Sequence, residues 1–295
     1  MAGTDVILPT LSNDAPPVVR SLQVSDLRDV LNKGMQDFRV RPTHVVFLCA
    51  IYPIAGLVLF RATFAYDLFP LLYPLAAGFA LLGPIAAIGL YELSRRLEVG
   101  MDTAWSHTFD VLHSPSLGPI AEVAALLLVI FGTWVAAANA IYLSTFGDQP
   151  LTSPIAFAQR VLTTREGHRL ILLGNAAGFV FALVAASLSV VSFPLLLDRN
   201  VGFAMAVTTS LRVVAKNPVT MAAWFLIVAV GLLIGSLFLF VGLAIILPVL
   251  GHSTWHLYRR VVEPDLSPRP EYHPRVVKGK HYGADFLVSL FSRYD

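Results

Sequence analysis

Two histidines near the end of the sequence have the spacing that a metal or haem site would need. His252 and His256 lie four residues apart, so a helix places both imidazoles on one face. Imidazole nitrogens bind zinc, copper and iron. The pair is therefore a candidate metal site, although histidines near the end of a membrane helix also reach the interface and bond headgroups or carbonyls. No other motif in the sequence requires a cofactor.

Further polar residues are predicted to lie near the same membrane edge as the histidine pair. Glu92 and Asp198 are the acids of this inner edge, and His107 and His113 follow Glu92 along the chain. Together with the pair they would allow a cluster of metal ligands. A membrane enzyme that acts on lipids, with Glu92, Asp102 or His107 as acid or base, is a further alternative, but nothing selects these residues over solvated surface.

Two polar residues fall within otherwise apolar runs. Glu122 lies close to the start of the run 119–143, and Asn175 occupies a comparable depth in the run 170–197. Because a polar group is costly in lipid, such residues usually face the interior of a bundle or a water-filled cavity. Glu122 and Asn175 therefore predict an intramembrane polar path for a proton or solute. The alternative is that Glu122 lies within a turn of the outer interface and is solvated there.

Signatures of the common enzyme classes are absent from the sequence. It has no phosphate-binding loop, no G-x-S-x-G elbow and no H-E-x-x-H helix. Its single cysteine, Cys49, excludes an internal disulfide and a C-x-x-C zinc or redox site. The sequence favours a protein that is not an enzyme.

The composition of the chain is typical of a protein that lies in a lipid bilayer. Hydrophobic residues make up 56% of the chain and charged residues 14%, against about 25% charged in soluble proteins. The 21 basic and 19 acidic residues nearly cancel, so no charge excess favours nucleic acid as a partner. The expected fold class is an all-α, polytopic membrane helix bundle with the lipid bilayer as its partner.

The apolar runs predict six transmembrane helices arranged as three hairpins. A hydrocarbon core about 30 Å thick needs roughly 20 helical residues. Four runs have clear bounds, at residues 45–60, 68–91, 119–143 and 170–197. The uncharged stretch 218–258 is about twice as long as one span requires, so it is expected to fold back between Gly235 and Gly242. Because no polar turn signal lies there, five spans are the alternative.

The distribution of Lys and Arg predicts the orientation of the bundle. With the N-terminus inside, the inner loops and tails carry 17 of the 21 basic residues, and the outer side carries only Arg61, Arg160, Arg165 and Arg169. Basic residues beside membrane spans resist translocation. Both termini are therefore expected in the cytoplasm.

Amphipathic helices are predicted outside the spans. Apolar residues recur at helical spacing in 101–112 and 203–214, and in the N-terminal tail from Leu27 to Phe38. Ser153 and Pro154 begin a further helix on the outer side. These helices are expected to lie on the membrane surface. The resulting plan is an N-terminal tail with an amphipathic helix (1–43), a six-helix membrane domain (44–262) and a cytoplasmic C-terminal tail (263–295).

Several strings in the sequence resemble those of a known family. They are DLRDVLNKGMQDF in the N-terminal tail, SFPLLLDR at the end of the fourth span, VGFAMAVTTSLRVVAKNP after it, and PVLGHSTWHLYRRVV near the end. Over roughly residues 25–265 the chain resembles an uncharacterised family of bacterial predicted integral membrane proteins, a domain-of-unknown-function family. Some of its members carry the label cytochrome c oxidase subunit I. The resemblance implies a bacterial inner-membrane location and no particular activity.

Two function hypotheses follow. The leading one is a non-enzymatic transporter-like bundle, or a partner or assembly subunit of a membrane complex. The alternative is a haem- or metal-binding respiratory subunit that uses His252 and His256, although an oxidase catalytic subunit needs about twice as many helices and several mid-membrane histidines. Small residues at 136–138 and 174–178 would also let helices approach closely, either within one subunit or between the subunits of a homo-oligomer.

Overall fold

The fold is taken from a computed structural model, in which the structure describes residues 16–40, 56–57, 69–104, 110–147, 154–237 and 242–264. Within these ranges the protein is helical, apart from loops and one isolated antiparallel bridge between Val19 and Val262. The helices are α1 (Asp26–Val40), α2 (Leu72–Phe79), α3 (Gly83–Ala86), α4 (Ile88–Glu98), α5 (Leu117–Phe146), α6 (Pro154–Thr163), α7 (Arg165–Ser189), α8 (Ser192–Asp198), α9 (Phe203–Lys216), α10 (Pro218–Leu237) and α11 (Leu243–Val261), with short 3₁₀ helices at Phe69–Leu71 and Ala80–Leu82.

Four helical stretches are long and apolar enough to cross a membrane: Leu72–Glu98, Leu117–Phe146, Arg165–Asp198 and Pro218–Leu237. They correspond to the second to fifth predicted spans, which confirms the prediction of an all-helical protein with several membrane-crossing helices. The first predicted span, 45–60, lies almost wholly outside the described residues. The sixth is present as α11, which is not among the four because its second half is polar. Six spans in three hairpins therefore stay a prediction.

The stretch 218–258 folds back once. Gly231 of α10 faces Leu250 of α11, whereas Gly235, one turn later, faces Leu243, so the two helices run in opposite directions. Gly242 lies so close to Gly235 that an added Cβ would stand 2.9 Å from the Cα of Gly235. The two glycines let the backbones of α10 and α11 approach closely at this point. The chain reverses in the interval that the sequence predicts.

Proline and capping residues set several helix boundaries. Pro154 and Pro218 occupy the first positions of α6 and α10, where a missing N–H costs no helical hydrogen bond. Thr164 caps α7, because its hydroxyl oxygen accepts a hydrogen bond from the backbone N–H of Gly167 at 3.1 Å. Gly147 follows α5 with a φ of +70°, a conformation that favours glycine.

Trp134 of α5 joins three helices in the apolar part of the bundle. Its indole N–H donates to the carbonyl of Pro74 at 2.8 Å, and its ring lies against Gly78 of α2 and Gly178 of α7. The ring of Phe181 lies 5.7 Å away, between centroids. Because the two glycines have no side chains, α2 and α7 pack closely on this buried ring.

The N-terminal helix packs on protein instead of on lipid. Leu27 and Val30 of α1 are each 2% exposed, and Gly34 lies directly against Ser253 of α11. Phe38 packs on residues of α4. The predicted helix is present, but its expected place on the membrane surface is corrected, because α4 and α11 cover its apolar face.

The segment before α1 is also fixed to the bundle. The backbone N–H of Arg20 donates to the carbonyl of Val261 at 2.7 Å, and the N–H of Leu22 donates to the side-chain oxygen of Asn217 at 2.7 Å. The described residues up to 263 accordingly belong to one compact unit. The predicted tail 263–295 lies outside the described residues, apart from its first two.

The other predicted amphipathic helices have different outcomes. The helices at 154–163 and 203–216 are present as α6 and α9, and α9 buries Ala206, Ser210 and Val213 against the bundle. Between 101 and 112, residues 101–104 are not helical, 105–109 are outside the described part, and 110–113 form a single 3₁₀ turn. The described part of this segment therefore does not show the expected amphipathic α-helix.

Candidate functional site

A cluster of four polar side chains lies where α1, α4 and α11 meet. We call it the Asp37 cluster: Asp37 from α1, Ser94 from α4, and His252 and His256 from α11. The histidines lie on one face of α11, as the sequence predicts, and the structure shows that this face meets α1 and α4. His252 and Ser94 are completely buried, whereas the side chains of Asp37 and His256 are 16% and 15% exposed. The cluster thus extends from the buried interior to a partly exposed edge.

Ser94 links the two ends of this cluster. Its hydroxyl oxygen lies 2.7 Å from Oδ2 of Asp37 and 2.7 Å from Nδ1 of His252. Nε2 of His256 lies 2.8 Å from the same carboxylate oxygen. The direct distance from Nδ1 of His252 to Oδ2 of Asp37 is 3.9 Å, which is too long for a hydrogen bond. The four side chains are therefore connected by consecutive hydrogen bonds in the order His252, Ser94, Asp37 and His256.

The number of available protons sets the direction of each hydrogen bond. A carboxylate only accepts, so Ser94 donates its single proton to Asp37. Ser94 must then accept from an N–H at Nδ1 of His252, and His256 must donate its Nε2–H to Asp37. This tautomer of His252 is assigned from its partners. In the neutral ring, Nε2 of His252 carries a lone pair.

That nitrogen has no hydrogen-bond partner among the described residues, although it is buried. Leaving a buried polar atom unpaired costs about 1–3 kcal/mol. Most buried polar side-chain atoms are paired, so an exception needs an explanation. An imidazole held by a hydrogen bond at one nitrogen presents the other in a fixed direction to a proton or a metal. Nε2 of His252 is therefore the atom of the Asp37 cluster that is oriented toward such a partner.

Glu92, one of the predicted inner-edge acids, is held by two neighbouring arginines on α4. Arg95 donates to its Oε2 at 2.7 Å, and Arg96 donates to its Oε1 at 2.8 Å. Arg96 also donates to Asp110 at 2.6 Å. Glu92 is 3% exposed and Arg96 8%, whereas the side chain of Asp110 is 47% exposed, so the network runs from the interior to the surface. It connects α4 to the segment that follows it, and it occupies the carboxylate that a catalytic base or a metal ligand would need free.

Asp198, the second inner-edge acid, lies in a neighbouring network. The hydroxyl of Tyr258 donates to Asp198 at 2.6 Å, and Arg259 lies 3.5 Å from the same oxygen. Arg259 and the indole N–H of Trp255 both donate to Glu98, at 3.0 and 2.9 Å. Asp198 thus joins α8 to α11, and Glu98 joins α4 to α11, at the end of the bundle that holds the Asp37 cluster.

The predicted metal cluster is only partly covered by the structure. His107 lies outside the described residues, and both inner-edge acids are engaged by arginine or tyrosine. Across the described ranges, no group of three or more His, Cys, Asp and Glu side chains is placed to hold a metal ion. The metal site at His252 and His256 stays a prediction.

Glu122 and Asn175 lie on exposed faces of α5 and α7. On α5 the buried positions include Val123 and Leu127, and Glu122 falls outside that stripe. Asn175 accepts a hydrogen bond from the hydroxyl of Tyr73 at 3.0 Å and donates to its own helix. Both side chains are exposed among the described residues, and their expected position facing the bundle interior stays a prediction. A polar path through them stays a prediction.

The sequence did not single out Asp37 or Ser94 as site residues. Ser94 is separated from His252 by 158 residues, and Asp37 is separated from His256 by 219. The only signal for Asp37 was an acidic position in an amphipathic helix. That signal has no meaning until the helix is known to pack on α11.

The middle of the chain matches a known family. Residues 72–198 match the model of a family described as Predicted integral membrane protein (DUF2189). This confirms the resemblance to an uncharacterised family of integral membrane proteins. No curated protein and no solved structure matches the chain. Ser94 lies within the matched segment, whereas the other three members of the Asp37 cluster lie outside it.

Proposed function

We propose that this integral membrane protein is a non-enzymatic, transporter-like bundle in which the Asp37 cluster passes protons. The observation that carries the proposal is the buried, unpaired Nε2 of His252 at one end of a continuous hydrogen-bonded chain. A purely structural tie would satisfy both ring nitrogens. Ionisable residues in membrane bundles are frequently parts of proton or solute paths.

The cluster can move a proton without moving a side chain far. A proton that binds Nε2 of His252 makes the ring cationic, so the ring releases its Nδ1 proton to Ser94. Ser94 passes its own hydroxyl proton to Oδ2 of Asp37, which becomes a carboxylic acid. One proton has then entered at His252 and one is held at Asp37, whose partial exposure lets water take it away. The two hydrogen bonds of 2.7 Å give the path.

The proposed orientation places this cluster on the cytoplasmic side of a bacterial inner membrane. The positive-inside distribution supports it, because α11 ends in Arg259 and Arg260 at the same end as the cluster. Asp26 of α1 accepts from Arg260 at 2.8 Å, so the N-terminal helix is held at this end too.

Proton flux in liposomes tests the proposal. The full chain is reconstituted with a pH-sensitive dye inside, and a proton gradient is applied with potassium and valinomycin to cancel the membrane potential. We expect flux above that of empty liposomes for the natural protein. Asp37→Asn and His252→Gln should each reduce the flux at least about tenfold, since an amide keeps the shape but does not take up the proton.

Asp29→Asn is the matched control for these variants. Asp29 lies on the same helix as Asp37, but it is exposed, lies outside the Asp37 cluster and forms a surface ion pair with Lys33 at 3.4 Å. Its replacement should leave the flux unchanged. Flux no greater than in empty liposomes, or equal flux in all three variants, would reject the relay and favour a partner or assembly role. Thermal melting of each variant checks that it is folded.

The second candidate function is a haem- or metal-binding respiratory subunit. The same open Nε2 of His252 supports it, because it is the donor atom that an axial ligand presents. In the other histidine of the pair, Nε2 of His256 is already hydrogen-bonded to Asp37. The residues that the structure describes thus supply one open ligand for a metal or haem and not a complete set.

An absorption spectrum separates the two candidates. The purified protein is measured oxidised and reduced, with metal analysis of the same sample. We expect a colourless protein with metal well below one equivalent. Stoichiometric haem or copper that is lost in His252→Gln would instead assign the histidine to metal binding and replace the proton relay.

A further inference from the structure

One narrow face of α7 carries two arginines above a line of exposed apolar residues. Arg165, Arg169, Leu172, Phe179 and Leu183 recur at intervals of four, three, seven and four residues, which places them on the same side of a helix. All five are exposed, with Leu172 at 70% and Phe179 at 68%. Within a candidate membrane span, a face of this kind is suited to contact lipid.

The apolar part of this face is about as long as one leaflet of the hydrocarbon core is thick. Leu172 and Leu183 are eleven residues apart, which is about 17 Å along a helix. Half of a hydrocarbon core is about 15 Å. Arg169 lies about one helical turn before Leu172, and Arg165 about two turns before it. Both arginines therefore lie at the level of the headgroups when the apolar residues lie beside the acyl chains.

The two arginines are available to bind a ligand. Neither Arg165 nor Arg169 makes a hydrogen bond or an ion pair through its side chain with any residue in the described ranges. At the other end of the bundle, Arg95 and Arg96 are bound to Glu92. Arg160, also at the α6–α7 end, lies over the ring of Phe146, 5.0 Å from its centroid.

We propose that Arg165 and Arg169 bind the phosphate of an anionic phospholipid whose acyl chains lie along Leu172, Phe179 and Leu183. Guanidinium groups are matched to phosphate oxygens by charge and by their paired N–H donors. The exposed apolar line below them favours a lipid over a free phosphate. The site lies at the opposite end of α7 from the Asp37 cluster, so it is independent of the proposed proton relay.

Native mass spectrometry of the detergent-purified full chain tests the lipid site. The protein is titrated with phosphatidylglycerol and with phosphatidylcholine of the same acyl chains. We expect phosphatidylglycerol to bind about tenfold more tightly, because each basic residue adds to the attraction of an anionic headgroup. The double variant Arg165→Gln/Arg169→Gln should lose this preference. Arg212→Gln should keep it, since Arg212 is an exposed arginine on α9 whose side chain has no partner among the described residues.

Four outcomes would overturn the proposal. The first is that the protein binds the two lipids with equal affinity, and the second is that Arg212→Gln loses the preference as the double variant does. The third is that inorganic phosphate competes for the site as well as phosphatidylglycerol does. The fourth is that the natural protein is a dimer and the double variant is a monomer. The third would assign the arginines to free phosphate, and the fourth would assign the face to a second copy of the chain. Unchanged melting of the double variant confirms that any loss is local.

Discussion

Replacing Glu92 with alanine should lower the free energy of unfolding by about 3 kcal/mol, because it breaks a buried ion network and leaves charge behind. Both carboxylate oxygens are used: Arg95 donates to each of them, and Arg96 donates to Oε1. Arg96 is 8% exposed, so water cannot replace the lost partner. Thermal unfolding in detergent, followed by circular dichroism, should show a midpoint lower by about 5–10 °C.

Two further variants make this prediction specific. Glu92→Gln keeps an acceptor oxygen and should fall between alanine and the natural protein. Asp29→Asn removes one partner of an exposed pair and should change stability by less than about 1 kcal/mol. If Glu92→Ala melts as high as Asp29→Asn, the network around Glu92 contributes no net stability and its arginines are adequately solvated without it.

The membrane helices could be predicted from the sequence because each is a local property of the chain. A run such as 119–143 is apolar at every turn, and the resulting helix extends only a few residues beyond it at either end, as Leu117–Phe146. The reversal between Gly235 and Gly242 was predicted from length alone, since one helix of that length would exceed the bilayer. Neither prediction needs any knowledge of what the helix touches.

Only two of the four residues of the Asp37 cluster, His252 and His256, could be predicted from the sequence. The spacing of His252 and His256 fixes a shared face of one helix, which is again local. Ser94 and Asp37 come from α4 and α1, and nothing in their own surroundings marks them as partners of a histidine. The error on α1 has the same origin, because helical periodicity shows that a face avoids water but not whether lipid or protein covers it.

Replacing Gly34 with valine should detach α1 from α11 and reduce proton flux with it. A Cβ at Gly34 would collide with the hydroxyl of Ser253, and it would lie 2.7 Å from the backbone nitrogen of Ser253 and 2.8 Å from the carbonyl of Val249. Backbone atoms cannot move aside, so the helix itself must shift. Overpacking of this kind costs about 1–3 kcal/mol. Hydrogen exchange of residues 26–40 should rise accordingly.

The consequence for the Asp37 cluster follows from the position of Asp37, one turn beyond Gly34 on α1. Any shift that relieves the clash moves Asp37 away from Ser94 and lengthens a hydrogen bond of 2.7 Å. Flux should therefore fall in Gly34→Val but persist in Gly132→Val, where the added Cβ would contact no other described element within 4 Å. Normal flux together with fast exchange in α1 would show that the proton does not pass through Asp37, because the relay requires α1 to be docked.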